Sequence, residues 1–409
     1  LVITSIFSKV LKYLLIRKCR IIEPGFESRQ TDVLVCGDRI IAIEHNINQP
    51  SNDTQCIEAE GRILIPSMTD IRTHLNVPTL YDTGANQTLD AMLSMGITTT
   101  LSGTKISQIP MEYVSLRRQE IPTTNYGCHF MLTSLKDSDV NQIKKFRIEY
   151  GIPTAYHKLI TNNMGNRVRF IQSLNVAREA GLMSIIDIEK DGSTSEHLNV
   201  LSDLCNVLSQ DQSNNIMFVG VKYKEEMDLI VEVAKKCNVK AQLHFNTFPK
   251  PHRRLQIIDN DILAQYVRDY QWVSIGLLDI SNRMNNLTGN GLRVDNHWYN
   301  TLGLLISKNT TSPLTLTEAI DALIVRNANF CGLGEQSSHI RVGCLSNMIL
   351  WNDNTNTQLD IAEPTGEIAN YKINGCIDSV IMNGQIVYSV KNGGTIDSSI
   401  HGLNAYRRL

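Results

Sequence analysis

The chain has 409 residues, 42% of them apolar and 20% charged, which is the composition of a packed protein and excludes a disordered or fibrous one. Its 39 basic and 41 acidic residues give a formal net charge of -2, so no global field favours nucleic acid or an anionic membrane surface. At this length either one large barrel with a smaller unit or two ordinary domains can bury a sizeable core.

The first stretch, LVITSIFSKVLKYLLI, is apolar, but Lys9 and Lys12 interrupt it and no small-residue cleavage site follows. It reads as an N-terminal extension over 1–12 and not as a signal peptide, and no uncharged run is long enough to span a bilayer. From Tyr13 the pattern becomes regular: LLIRKCRII, a turn at Pro24-Gly25, TDVLVCG, RIIAIEH and CIEAEGRILIPS are short β-branched runs separated by turn residues. They predict strands of a small sheet. Between residues 66 and 339, strand-like runs such as GITTTLSG, LMSIID, IMFVGV and VKAQLHF alternate with helical patterns such as RVRFIQSLNVAREAG and EEMDLIVEVAKKCN. Repeated alternation of this kind predicts parallel strands with helical crossovers, and its length points to a (β/α)8 barrel with its chemistry at the C-terminal strand ends. At the far end, IRVGCLSNMILWN and CIDSVIMNGQIVYSV return to short strands, with Asn383-Gly384 as a hairpin signal. The expected fold class is α/β: a TIM-like barrel over 66–339 and a small β-sandwich built from both chain ends, 13–65 and 340–400.

The nine cysteines are odd in number, scattered, and form no C-x-x-C pair. Free thiols in a reducing compartment are expected, hence a cytoplasmic protein. Cys205 and Cys237 lie within helical patterns and read as buried apolar residues. The basic run Lys250-Pro-His252-Arg253-Arg254 reads as a solvated loop, and His297-Trp298-Tyr299 as packing at a helix start.

The segment with most chemical content is IPSMTDIRTHLNVP, residues 65–78, at the junction of the first sheet and the barrel. It resembles the opening signature of the amidohydrolase superfamily, in particular the dihydroorotase, hydantoinase and dihydropyrimidinase branch of metal-dependent cyclic-amide hydrolases. In that family an aspartate is followed by two histidines one residue apart at the end of the first barrel strand, and both ligate metal. Here Asp70 and His74 are present, but the first ligand position is Arg72. An always-protonated guanidinium is not a ligand and repels a cation. DTGANQTLDAMLSMGITTTLSG and NANFCGLGEQSSHIRVGCLSNMILWN resemble further family segments, so that the likeness runs from about Tyr13 to Tyr388.

Carrying the remaining family positions onto this chain, the resemblance implies a bridging lysine where Pro153 stands, with Lys158 close by but out of register. It implies histidines where Asp187 and Gly220 stand. The general-base aspartate corresponds to Asp279, whose usual His-Ala-Pro-His continuation is replaced by Ile280, Ser281, Asn282 and Arg283. The substrate anchors correspond to Asn76 and Lys105, and neither keeps the family's chemistry. If a metal site is retained, His74, Asp187 and Asp279 would hold zinc, with His244 a further candidate. The expectation is instead a dihydroorotase-like pseudoenzyme with no cofactor, in which Arg72 takes the metal's place and pairs with Asp187 or Asp279. Inactive relatives of this kind are structural partners of aspartate transcarbamoylase, so a homo- or hetero-oligomer in pyrimidine biosynthesis is implied. The alternative is an active zinc-dependent cyclic amidohydrolase with a reduced metal site.

Overall fold

A computed structural model describes residues 12–73, 92–117, 124–132, 139–159, 164–188, 194–208, 215–244, 256, 258–276, 301–307, 311, 313–362, 368–397, 400–403 and 405–406. The N-terminal half of the flanking domain is formed by β1 (Tyr13–Glu23), β2 (Phe26–Glu27), β3 (Thr31–Cys36), β4 (Arg39–Glu44), β5 (Gln55–Glu58) and β6 (Ile63–Pro66). β1 pairs with β5 up to Arg17 and with β6 from Arg20, and between them its register against β3 slips beside Lys18, which has φ 53°. A bulge of this kind turns a strand from one sheet layer into the next, which is how a sandwich makes its corner.

The chain then enters the barrel through β7 (Met68–Thr73), followed by β8 (Ile97–Thr104), β9 (Asn125–Met131), β10 (Thr154–Lys158), β11 (Met183–Asp187), β12 (Ile216–Val221), β13 (Val239–His244) and β14 (Val273–Gly276). These eight strands are hydrogen-bonded in sequence order and all their pairings are parallel, while β14 returns to lie beside β7. The crossovers include α1 (Ile109–Arg117), α2 (Asp139–Tyr150), α3 (Met164–Glu179), α4 (Thr194–Leu208), α5 (Lys224–Ala234) and α6 (Asn260–Asp269). This is the (β/α)8 barrel that the alternation of runs predicts. A last helical stretch over 316–330 contains a π turn at Asp321–Val325, where Asn327 donates to the Leu323 and Ile275 carbonyl oxygens at 2.9 and 2.8 Å.

The C-terminal part adds β15 (Met348–Ala362), β16 (Ile368–Met382), β17 (Gln385–Ser389) and β18 (Thr395–Ile396), with β15 pairing antiparallel to β6. Both chain ends therefore build one domain, as the short runs at either end suggest. β6 and the start of β15, Met348–Trp351, are buried on both faces. Ile63, Ile65, Ile349 and Trp351 face the large core shared with the barrel, whereas Leu64, Met348 and Leu350 face the sandwich interior. The strict period of two along these strands thus joins the two domains. Inside the barrel, Ile71, Leu101, Tyr156, Ile185, Met217 and Val219 form a separate cluster with Phe330, Cys331 and Ala405. Ala405 donates its backbone N–H to Tyr126 O at 2.8 Å and Tyr126 donates to Leu403 O at 3.0 Å, so the C-terminal segment crosses the floor of the barrel, where β9 begins. Among the described residues, no helix is long and apolar enough to cross a membrane. All nine cysteines are free, and Cys205 and Cys237 are buried.

Candidate functional site

The site begins with an irregularity in β7. Asp70 lies opposite Thr100 and Thr73 opposite Ser102, so β7 takes three steps where β8 takes two. This β-bulge lets two consecutive residues reach inward: Ile71 belongs to the interior cluster, and the side chain of Arg72 also enters the barrel. Asp70 secures the bulge, its Oδ1 accepting the backbone N–H of Arg72 at 2.9 Å.

Of the two carboxylates expected to pair with Arg72, the structure joins it to Asp187, the last residue of β11. Arg72 Nε donates to Asp187 Oδ2 at 3.3 Å, and Nη2 lies 3.2 Å from both Oδ1 and Oδ2. The side chains are 6% and 1% exposed, so this is a buried, fork-shaped pair and not a surface contact. From β10 the Tyr156 hydroxyl donates to the same Oδ2. Burial, and then the neighbouring Asp187 charge, push the phenol well above its ordinary range, which keeps it a donor. His129 of β9 stacks on Tyr156 with centroids 6.3 Å apart. Its Nε2–H donates to the Ile71 carbonyl at 3.0 Å, and its Nδ1 accepts from the Thr154 hydroxyl at 2.5 Å. Burial lowers this ring's pKa to about 4, so the histidine is neutral and fixed in one tautomer. Three barrel strands, β7, β10 and β11, thereby supply one polar network, and His129 of β9 stacks beside it.

The other expected positions are distributed differently. Pro153 precedes β10 and approaches Gly332, just after the 316–330 helical stretch, at the end opposite the Arg72–Asp187 pair. The fourth-strand side chain level with that pair is Tyr156. Alternation along TAYHK carries the signal, since Thr154, Tyr156 and Lys158 share one face of the strand. Lys158 lies opposite Asp187 in the β10–β11 register but its side chain is exposed. Gly220 sits near the end of β12 with φ +81°, where the register against β13 slips between Phe218 and Val221. Glycine there supplies a left-handed backbone and no side chain for the mouth. Lys105 follows β8 directly and is exposed. His244 ends β13 opposite Gly276. His74, Asn76, Asp279, residues 280–283, the 250–254 run and His297-Trp298-Tyr299 lie outside the described residues.

The metal that the resemblance implies does not fit the groups present. Among the described residues, no three His, Cys, Asp or Glu side chains are grouped to hold an ion. Asp187 is engaged by a guanidinium, and the fourth strand offers a protonated phenol where a carboxylate or lysine-derived ligand is needed. A divalent ion about 4 Å from a guanidinium is repelled by roughly 8 kcal/mol at an effective dielectric constant of about 20. That offsets half or more of the roughly 10–16 kcal/mol that a structural zinc site supplies.

No protein-family model matches the sequence, and no curated protein matches it. Solved structures match in fold. The dihydropyrimidinase from Brevibacillus agri NCHU1002 is similar over 97% of this chain and 100% of its own, at 16% identity and a TM-score of 0.74. The D-hydantoinase (dihydropyrimidinase) from Thermus sp. gives 96% and 100%, 16% identity and 0.74. The L-hydantoinase (dihydropyrimidinase) from Arthrobacter aurescens gives 94% and 97%, 12% identity and 0.69. The shared feature is the fold, a (β/α)8 barrel with a flanking β-sandwich, over essentially the whole chain.

Proposed function

We propose that this chain is a dihydroorotase-like protein that has lost hydrolysis and serves as a structural or regulatory subunit of pyrimidine biosynthesis in the cytoplasm, as the partner of an active aspartate transcarbamoylase. The observation that carries the reading is the Arg72–Asp187 pair with the Tyr156 hydroxyl on the same carboxylate. Hydrolysis of a cyclic amide at neutral pH needs an activated water, and a metal that lowers its pKa is how this fold class obtains one. A guanidinium lowers no water's pKa by coordination, and it withdraws the carboxylate best placed to serve as a ligand. What remains is a rigid barrel with a second domain on its flank, suited to presenting surfaces to another subunit.

The experiment is affinity purification of the full-length chain from its own cells, followed by identification of what comes with it. Aspartate transcarbamoylase in fixed ratio, with its activity reduced when this chain is deleted, is the expected result. A lone chain whose deletion leaves transcarbamoylase unaffected contradicts the partnership. A purified chain that holds zinc and turns over dihydroorotate or a dihydropyrimidine establishes the alternative, an active cyclic amidohydrolase using His74, Asp187 and Asp279.

A further inference from the structure

The misfit between the implied metal and the groups present has a positive side: the barrel still holds a cation, its own. Asp187 presents both carboxylate oxygens to Arg72, with three N···O distances of 3.2–3.3 Å. Tyr156 orients that carboxylate through Oδ2, and the carboxylate is 1% exposed. The bulge secured by Asp70 fixes where the guanidinium enters. Three strands thus shape a place for one planar cation, and only the tether along the Arg72 side chain makes it intramolecular.

We infer that Arg72 fills a guanidinium-selective cation site at the mouth of the barrel, and that removing its side chain leaves this site able to take a small guanidinium ion from solution. This rests on the non-catalytic reading above. The chemistry favours that class of ligand over others. A guanidinium offers two parallel N–H donors in a plane, matching a carboxylate edge-on, while an ammonium is a strongly hydrated point charge that gains less from the fork. Zinc wants three protein ligands in a tetrahedron, and Asp187 with a protonated phenol supplies one anionic group and a donor that faces the wrong way. The site therefore carries the charge balance of a metal centre without metal selectivity.

The test uses the full chain with Arg72→Ala, its thermal midpoint followed against low millimolar methylguanidinium, with methylammonium, sodium and zinc at matched concentration. Methylguanidinium is expected to raise the midpoint of the variant saturably and to leave the wild type unmoved, while the other cations move neither protein. Arg72→Ala with Asp187→Asn is expected to lose the response. If Arg72→Ala does not fold alone, its refolding yield with and without methylguanidinium reads the same quantity. No response to methylguanidinium, an equal response in the Asp187→Asn background, or stabilisation of Arg72→Ala by zinc overturns the inference. Zinc in the wild-type protein would instead overturn the non-catalytic reading, so the two failures are separate.

Discussion

At the scale of single residues, the account turns on a charge pair that is expensive to break. Arg72→Met keeps most of the apolar stem and removes the guanidinium that Asp187 pairs with inside the barrel. Losing one member of a buried pair costs about 3–5 kcal/mol, so the urea midpoint of Arg72→Met is expected to fall sharply, whereas Tyr156→Phe should cost about 1.5–3 kcal/mol for one charge-assisted hydrogen bond. An unfolding free energy for Arg72→Met within about 0.5 kcal/mol of wild type, typical of surface substitutions, would show that the pair does not hold the mouth. Two buried histidines set the pH dependence. Burial lowers the rings of His129 and His157 from 6.5 to about 4 and about 3, and among the described residues His157 bonds neutral serines, Ser173 at 2.9 Å and Ser184 at 3.2 Å. Below pH 6.5 the unfolded chain takes up protons that the folded one refuses. Stability is therefore full above that pH and falls as pH drops toward 4 and 3, by roughly 1.4 kcal/mol per unit for each ring. Urea titrations at pH 7, 6 and 5 check this, and His157→Gln should flatten the slope by about half. That Arg72 pairs with an anion was legible in the sequence because a guanidinium at that position needs one nearby, but the choice between Asp187 and Asp279 was not. Tyr156 carried no such signal, and only the strand's start at Thr154 resolves which side chains of GIPTAYHKL face inward.

At the scale of elements, glycine positions separate conformational cost from collision. Asn383 and Gly384 have φ of 52° and 75°, the two left-handed residues of a tight hairpin joining β16 to β17, in keeping with the Asn-Gly signal. A Cβ on Gly384 would lie 1.8 Å from the Gly37 carbonyl oxygen, whereas one on Gly25, at φ +74°, meets nothing within 4 Å. Gly25→Ala is therefore expected to cost about 1–2 kcal/mol for backbone strain alone. Gly384→Ala should cost about 3 kcal/mol more, because two backbone segments must part. Equal losses for the two in thermal or urea denaturation would contradict this placement of the hairpin against the β3–β4 turn. Turn residues and period-two runs make strands readable, which is why the sheet at both chain ends and most barrel strands follow the pattern of the sequence. Bulges are not readable in the same way. The extra residue in β7 arises from pairing with the neighbouring strand, and no local propensity in TDIRT announces it, whereas the isolated glycine of VGV is a weak signal of the slip at Gly220.

At the scale of the whole molecule, the fold was legible and its floor was not. Alternating strand and helix runs specify the barrel, and the split short runs specify a domain made from both ends. The passage of Leu403 and Ala405 across the barrel floor depends on contacts with Tyr126 that lie far away in sequence. The same limit applies to the site: its residues run from Asp70 to Asp187 on three strands, and only the curvature of the barrel makes one network of them. The central claim is that this network balances its charge with Arg72 and not with a metal. Metal content of the purified full-length chain, measured together with its thermal midpoint in zinc and in chelator, tests that most directly. The account predicts zinc far below one ion per chain and a midpoint that neither addition moves. One zinc per chain, with the midpoint falling on chelation, would contradict it.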